Sequence, residues 1–195
     1  MRAEQREATR EQIVTAALLA ISESGFNGVS TRTIAERANV SQGLLTYHFK
    51  SKDALWRAAA DQLFAIANDS MQEVFSPPAS VEPLQQKRNL IRQMVYFSAA
   101  HPEFIRFMLE HEKENSDRSR WLVETHLRPM YKKFVHVMGD IPETDLPHAL
   151  YTFAGASGLI FCAPNECKQL TGVDPGSKAV IKRHADYLVN LMVPE

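Results

Sequence analysis

Apolar residues recur every three to four positions through most of this 195-residue chain, and no run sustains the strict alternation of a strand. Ile13, Ala17 and Ile21, with Val14 and Leu18, form one stripe of helical period. Thr9 is placed to cap that helix, with Gln12 in capping-box position, and residues 1–8 read as a polar arm. Gly25 stands where a left-handed cap ends the helix, Phe26 follows as a core anchor, and Asn27-Gly28 is a turn. Ser30 or Thr31 caps a second helix that ends near Asn39 and buries Ile34, Ala35 and Ala38. Val40 pins the next turn. Ser41 then caps a third helix, Gln42 to Phe49, with Gln42, Leu44 and Thr46 facing outward. Ser51, with Asp53 in the first turn, opens a fourth that runs to about Phe75.

Ser76-Pro77-Pro78 breaks the pattern where a domain boundary or hinge would sit. Five further helical patterns follow: about 81–100, 102–114, 117–138, 143–163 and 175–192. Pro129 should kink or break the third of these near Arg128, because proline removes a backbone donor and clashes with the preceding turn. The expected fold class is all-α, with about nine helices. An N-terminal helix-turn-helix three-helix domain is expected over 1–55, and a C-terminal helical ligand-binding and dimerisation domain over 56–195.

Two helices joined by a tight turn, with the second one capped and polar on its outer face, are the arrangement that lays a recognition helix in the major groove. Charge modifies this only mildly. The chain is net −1, but residues 1–57 hold eight Lys/Arg against six Asp/Glu, so the basic end coincides with the helix-turn-helix. A weakly basic head suffices when a dimer doubles its phosphate contacts.

The stretch Thr33-Ile34-Ala35-Glu36-Arg37-Ala38-Asn39-Val40-Ser41, with Gly25-Phe26, Tyr47-His48-Phe49 and Lys50-Ser51-Lys52-Asp53-Ala54-Leu55, resembles the DNA-binding domain of the TetR family of transcriptional repressors. The likeness covers residues 9–55, about a quarter of the chain. It implies a two-domain, all-helical homodimer on double-stranded operator DNA. By that resemblance Thr31 and Arg32 face the DNA, and Ser41, Gln42 and Gly43 begin the recognition helix. Gln42 is the best base reader, since its amide can pair bidentately with adenine, and Leu44 offers apolar contact to a thymine methyl. Tyr47, His48 and Lys52 would hold backbone phosphates. Leu44 stands where the family often has Thr, and Thr46 where it often has Tyr, which changes the operator rather than the binding. Tyr47 is balanced between core and surface; Phe49 reads as core.

The second domain needs an input. Phe97, Phe104, Phe107, Met108, Trp121, Tyr131 and Phe153 are candidate ligand-binding residues, since aromatics and methionines adapt around an apolar cavity. His101, Glu110, His111 and His126 are nearby polar groups. Taken singly, each aromatic reads more readily as ordinary core than as a ligand contact; it is the set that suggests a pocket. The resemblance implies a small effector bound between these helices that tilts the fourth helix and respaces two reading heads. A mainly apolar or aromatic effector is expected. Leu146, Leu150, Phe153, Ala154, Ser157 and Phe161, interleaved with Gly155, Ala156 and Gly158, form one face; Val180, Ile181, Tyr187, Leu188 and Leu191 form another. The pair reads as a dimer interface, with burial inside one subunit as the alternative.

Other chemistry finds little purchase. His111-Glu112 lacks the second histidine of a zinc protease helix, and no Glu-x-x-His pair exists. Cys162 and Cys167 have no companion pair at zinc-finger spacing, so neither metal nor cofactor is expected, although a thiol sensor remains open. The charged N-terminus is no signal peptide, and the apolar stretch from Ala149 to Ala163 is short for a span. The expectation is a cytoplasmic, non-enzymatic, ligand-responsive repressor released from a palindromic operator, with no membrane partner. The alternative is a helical small-molecule-binding or enzyme domain whose helix-turn-helix is incidental.

Overall fold

The computed structural model describes residues 2–111, 116–139 and 141–194, with backbone alone for Arg2 and His111. Among these the architecture is all-helical. The first four helices are α1 (Arg2–Gly28), α2 (Thr31–Arg37), α3 (Gln42–His48) and α4 (Lys52–Phe75). Then come α5 (Pro83–Ala100), α6 (Pro102–His111) and α7 (Asp117–Leu122), a π-helical turn (Val123–Leu127), and α8 (Arg128–Met138). The last three are α9 (Leu146–Cys162), α10 (Pro164–Thr171) and α11 (Lys178–Met192).

Two differences raise the number of helices above the nine patterns. Pro129 divides the 117–138 pattern, as its chemistry demands, with the π-helical turn just before it and Pro129 in the first turn of α8. A short helix, α10, also follows Cys162, started by Pro164 and closed by Gly172 in the left-handed conformation (φ +73°). The predicted end of the 102–114 helix near Glu114, and Glu112, lie outside the described residues, as does the side chain of His111.

Thr9 is not a cap. Its hydroxyl donates to the Gln5 carbonyl at 2.8 Å from inside α1, and Gln12 reaches across to the Ala38 carbonyl at 2.7 Å instead of closing a capping box. The stretch RAEQREATREQ, which runs from the expected polar arm through Thr9, is made largely of Ala, Glu, Gln and Arg, all strong helix formers, so nothing stops the helix at Thr9. Gly25 does break α1: its φ of +74° and ψ of 164° lie where an L side chain is strained, and a Cβ there would collide with the Glu110 carboxylate.

The chain divides into two compact units, Met1–Ile66 with Arg106–Val123, and Ala67–Ile105 with Glu124–Glu195. This differs from the expected 1–55 and 56–195 division. The reason lies in Trp56, which is 2% exposed. It stacks on Phe107 (5.4 Å between centroids, 19° between planes) and meets Trp121 edge-on at 5.9 Å. Residues 106–123 therefore complete the core of the reading head. Ile13, Ile21, Ile34, Leu45 and Leu63 fill the rest of it.

In the second unit α5 is central, packing on α8, α9 and α11. Leu90, Ile91, Met94 and Val95 bury its inner face. Gly158 lets α9 approach closely: a Cβ there would lie 2.7 Å from Ile105 Cγ1 and 3.2 Å from Ser98 Oγ. No single helix is long and apolar enough to cross a membrane, although the bent pair of α9 and α10 passes by length and composition together.

Candidate nucleic-acid interface

The reading head is built by its caps. Ser30 accepts from the Thr33 amide at 3.0 Å and Ser41 from the Leu44 amide at 3.2 Å, each satisfying a donor the helix start leaves open. Asn39, between α2 and α3, takes φ +51°, a conformation asparagine tolerates better than most residues. Ala38 and Leu45 are buried and hold the turn, and Phe49 at 7% exposure is core, as its pattern predicts. Ser51 accepts from the Ala54 amide at 3.1 Å and starts α4. One face of α3 is thereby anchored, and the other carries Gln42, Gly43, Leu44, Thr46 and Tyr47 to the surface.

Each candidate has a definite setting. Gln42 donates from Nε2 to Thr31 Oγ1 at 3.1 Å, leaving its second N–H and its carbonyl available as a donor–acceptor pair. Arg32 is exposed and paired with Glu36 at 3.1 Å. Leu44 is 38% exposed and Tyr47 58% exposed, so Tyr47 belongs to the surface rather than the core. His48, half-buried, meets the Tyr47 ring edge-on at 5.3 Å. Thr46, exposed, turns its hydroxyl back onto the Gln42 carbonyl at 3.0 Å.

Lys52 departs from its expected role. Its ammonium donates to the Phe26 carbonyl and lies 4.3 Å from the centre of the Phe26 ring. Burial pushes it below the ordinary lysine range, Arg118 adds to that, and Asp53 opposes it. A lysine so engaged locks the end of α1 to the start of α4. Arg37 does a similar job, binding Glu23 through two bonds of 2.5 and 2.8 Å and holding that carboxyl below the usual range.

Two basic side chains that the sequence reading passed over stand beside α3. The Arg6 guanidinium lies 5.6 Å from the Tyr47 ring centre and that of Arg10 5.5 Å from Phe49. Their signal was the four-residue spacing of arginines in a helix-forming stretch.

The seven candidate ligand residues do not share one unit. Phe107, Met108 and Trp121 belong to the unit of the reading head, and Phe97, Phe104, Tyr131 and Phe153 to the other. Phe107 is packed on Trp56, Phe97 meets Phe104 at 5.2 Å, and Phe153 lies 5.2 Å from Phe134. A cavity of about 150 Å³ lies within the first unit, where Phe26, Trp56, Glu110, Ser116 and Arg118 help to line it; none of the seven does.

The dimer stripe also divides. Leu146, Phe153, Ser157 and Phe161 are buried within the chain, as are Gly158 on α9 and Leu188 on α11. Tyr151, Gly155 and Leu159 of α9, and Tyr187 and Leu191 of α11, are exposed instead. The small residues of α9 thus serve two faces, which a single stripe could not reveal. Cys162 Sγ faces the Pro102 carbonyl at 3.7 Å and Cys167 Sγ the Val173 carbonyl at 3.7 Å; both are free thiols. Among the described residues no group of His, Cys, Asp or Glu could hold a metal ion.

Residues 13–59 match the family of bacterial regulatory proteins described as the tetR family. The probable HTH-type transcriptional regulator YttP of Bacillus subtilis is 23% identical over 127 residues, 65% of this chain and 60% of that protein. The class D tetracycline repressor protein of Escherichia coli is 36% identical over 76 residues, 39% of this chain and 33% of the repressor. The chain thus spans between about a third and three-fifths of the length of these two curated relatives. The fold extends further: the crystal structure of AibR in complex with isovaleryl coenzyme A and operator DNA superposes with a TM-score of 0.74 at 16% identity, covering 95% of this chain and 98% of that one. The matched segment coincides with the capped helix pair and its outward-facing α3, so this part of the chain is similar to the tetR family of bacterial regulatory proteins.

Proposed function

We propose that the protein is a homodimeric transcriptional repressor that reads a palindromic operator with α3 and is released by a small, mainly apolar or aromatic effector. One observation carries the reading: a short helix fixed by the Ser41 cap and by buried Leu45 and Phe49 presents Gln42, Gly43, Leu44 and Tyr47 outward. Gln42 reads adenine with the donor and acceptor that its bond to Thr31 leaves over. Leu44 and the Thr46 methyl meet thymine methyls, and Tyr47, His48 and Arg32 take phosphates. Lys52 supports the head through Phe26.

The dimer forms through the exposed faces of α9 and α11, centred on Tyr151, Leu159, Tyr187 and Leu191. The effector belongs to the second unit, where Phe97, Phe104, Tyr131 and Phe153 supply apolar surface. Ser98 and Ser157, fully buried with hydroxyls that meet no partner among the described residues, supply its polar contacts. It acts only if it binds the DNA-incompetent conformation more tightly than the competent one.

The test is binding of the purified protein to the DNA upstream of its own coding region, with salt varied. A palindromic footprint and a steep salt slope support the reading; weak binding without sequence preference overturns it. Gln42→Ala should then cost about 1–3 kcal/mol on the operator and relax specificity at one base position. Equal loss on every sequence would remove Gln42 as a base reader.

A further inference from the structure

The N-terminal turns of α1 carry charge that the helix pair does not explain. Residues 3–8 are exposed, yet they continue the helix and are not a loose arm. Arg6 and Arg10, one turn apart, share a face by helical spacing. The structure confirms that both reach α3 and its end: Arg6 lies over the Tyr47 ring and Arg10 over Phe49.

Compare five other cations of this unit. Arg32 is paired with Glu36, Arg37 with Glu23, and Arg118 with Asp53, while Lys52 is tied to the Phe26 carbonyl. Arg10 shares its charge with Glu7 at 3.4 Å. Arg6 rests on a neutral ring, and that ring belongs to an exposed tyrosine on the outward side of the recognition helix. A guanidinium beside an aromatic face, 5.6 Å from its centre, keeps N–H donors free for a further partner, and it is more weakly hydrated than an ammonium. That geometry suits a phosphate diester oxygen better than a base edge, because the cation stands at the C-terminal end of α3 while the base-reading residue Gln42 opens its N-terminal end.

We infer that α1 is a second DNA-contacting element, in which Arg6, positioned by Tyr47 and supported by Arg10, binds a backbone phosphate of duplex DNA beside the recognition helix. The inference rests on the DNA-binding reading above. It adds affinity without sequence information, since a phosphate is the same at every base pair. It also supplies charge that Lys52, tied to the Phe26 carbonyl, does not deliver.

The test compares wild type, Arg6→Gln and Arg6→Lys on the upstream DNA and on an unrelated duplex of equal length, from 50 to 200 mM salt. Each phosphate contact contributes about 0.9 to the slope of log affinity against log salt, or roughly 3.5-fold over that range. Arg6→Gln should lower the slope by about that amount per protomer bound and weaken both duplexes by the same factor. Arg6→Lys should restore most of the slope, because it keeps the charge. An unchanged slope for Arg6→Gln while wild type binds normally overturns the α1 contact and leaves the repressor reading standing. A loss confined to the upstream DNA also overturns it, since it would make Arg6 a base reader. Wild-type binding that shows no salt dependence overturns both.

Discussion

Trp56→Ala is expected to destabilise the reading-head unit by about 3–5 kcal/mol, the range for truncating a large buried aromatic. Trp56 is almost fully buried, stacked on Phe107 and in edge contact with Trp121, so its removal leaves a void lined by two aromatic faces that cannot collapse together without moving α6 or α7. For a chain of this length such a loss lowers the melting temperature by roughly 6–20 °C. The readout can be made local. Both tryptophans of the chain, Trp56 and Trp121, lie in this unit, so fluorescence of the remaining Trp121 follows the reading head alone. Leu44→Ala, at a partly exposed position, should stay within about 0.5 kcal/mol of wild type. A Trp56→Ala protein whose Trp121 transition moves by less than a few degrees would mean that residues 106–123 are not part of that core.

That core also marks where the sequence stopped being legible. The helix pair was readable because its signals are local: Ser30 and Ser41 cap, Ala38 and Leu45 turn inward, and Phe49 closes the helix, each within four residues of its partner. Gly25 and Pro129 announced their breaks for the same reason, since each acts on its own backbone. What failed was long-range. Nothing near Trp56 in the sequence says that Phe107 stacks on it, so the sequence places residues 106–123 across a domain boundary from the compact unit whose core they complete. Lys52 looked like a phosphate contact because its partner, the Phe26 carbonyl, is 26 residues away and carries no side-chain signal. Thr9 failed in the opposite direction: a good capping residue was outweighed by the helix propensity of its neighbours on both sides. The α9 stripe was legible as apolar and small but not as two faces, because Gly155 and Gly158 are one turn apart and point to different surroundings.

Those two glycines set up the second large effect. Gly158→Glu should unfold the second unit rather than separate two subunits. Its Cβ would press on Ile105 and Ser98, and the substitution would carry a carboxylate into the buried contact of α9, a cost of several kcal/mol per buried ion against a total stability of about 5–15 kcal/mol. Leu159→Glu, at the adjacent residue, should do the reverse. Leu159 is 60% exposed, and a charge there is solvated in the single chain, so the fold should persist. Placed twice across a two-fold axis, however, the same charge meets its own copy and is desolvated on both sides, which is how an isologous contact amplifies one substitution. Sedimentation velocity with circular dichroism separates the cases. Gly158→Glu should lose cooperative melting. Leu159→Glu should sediment as a folded monomer, and its DNA affinity should fall with the loss of the second reading head. A Leu159→Glu protein that remains dimeric would remove this face from the interface, and a Gly158→Glu protein that melts like wild type would show that α9 has room the close approach to Ile105 denies it.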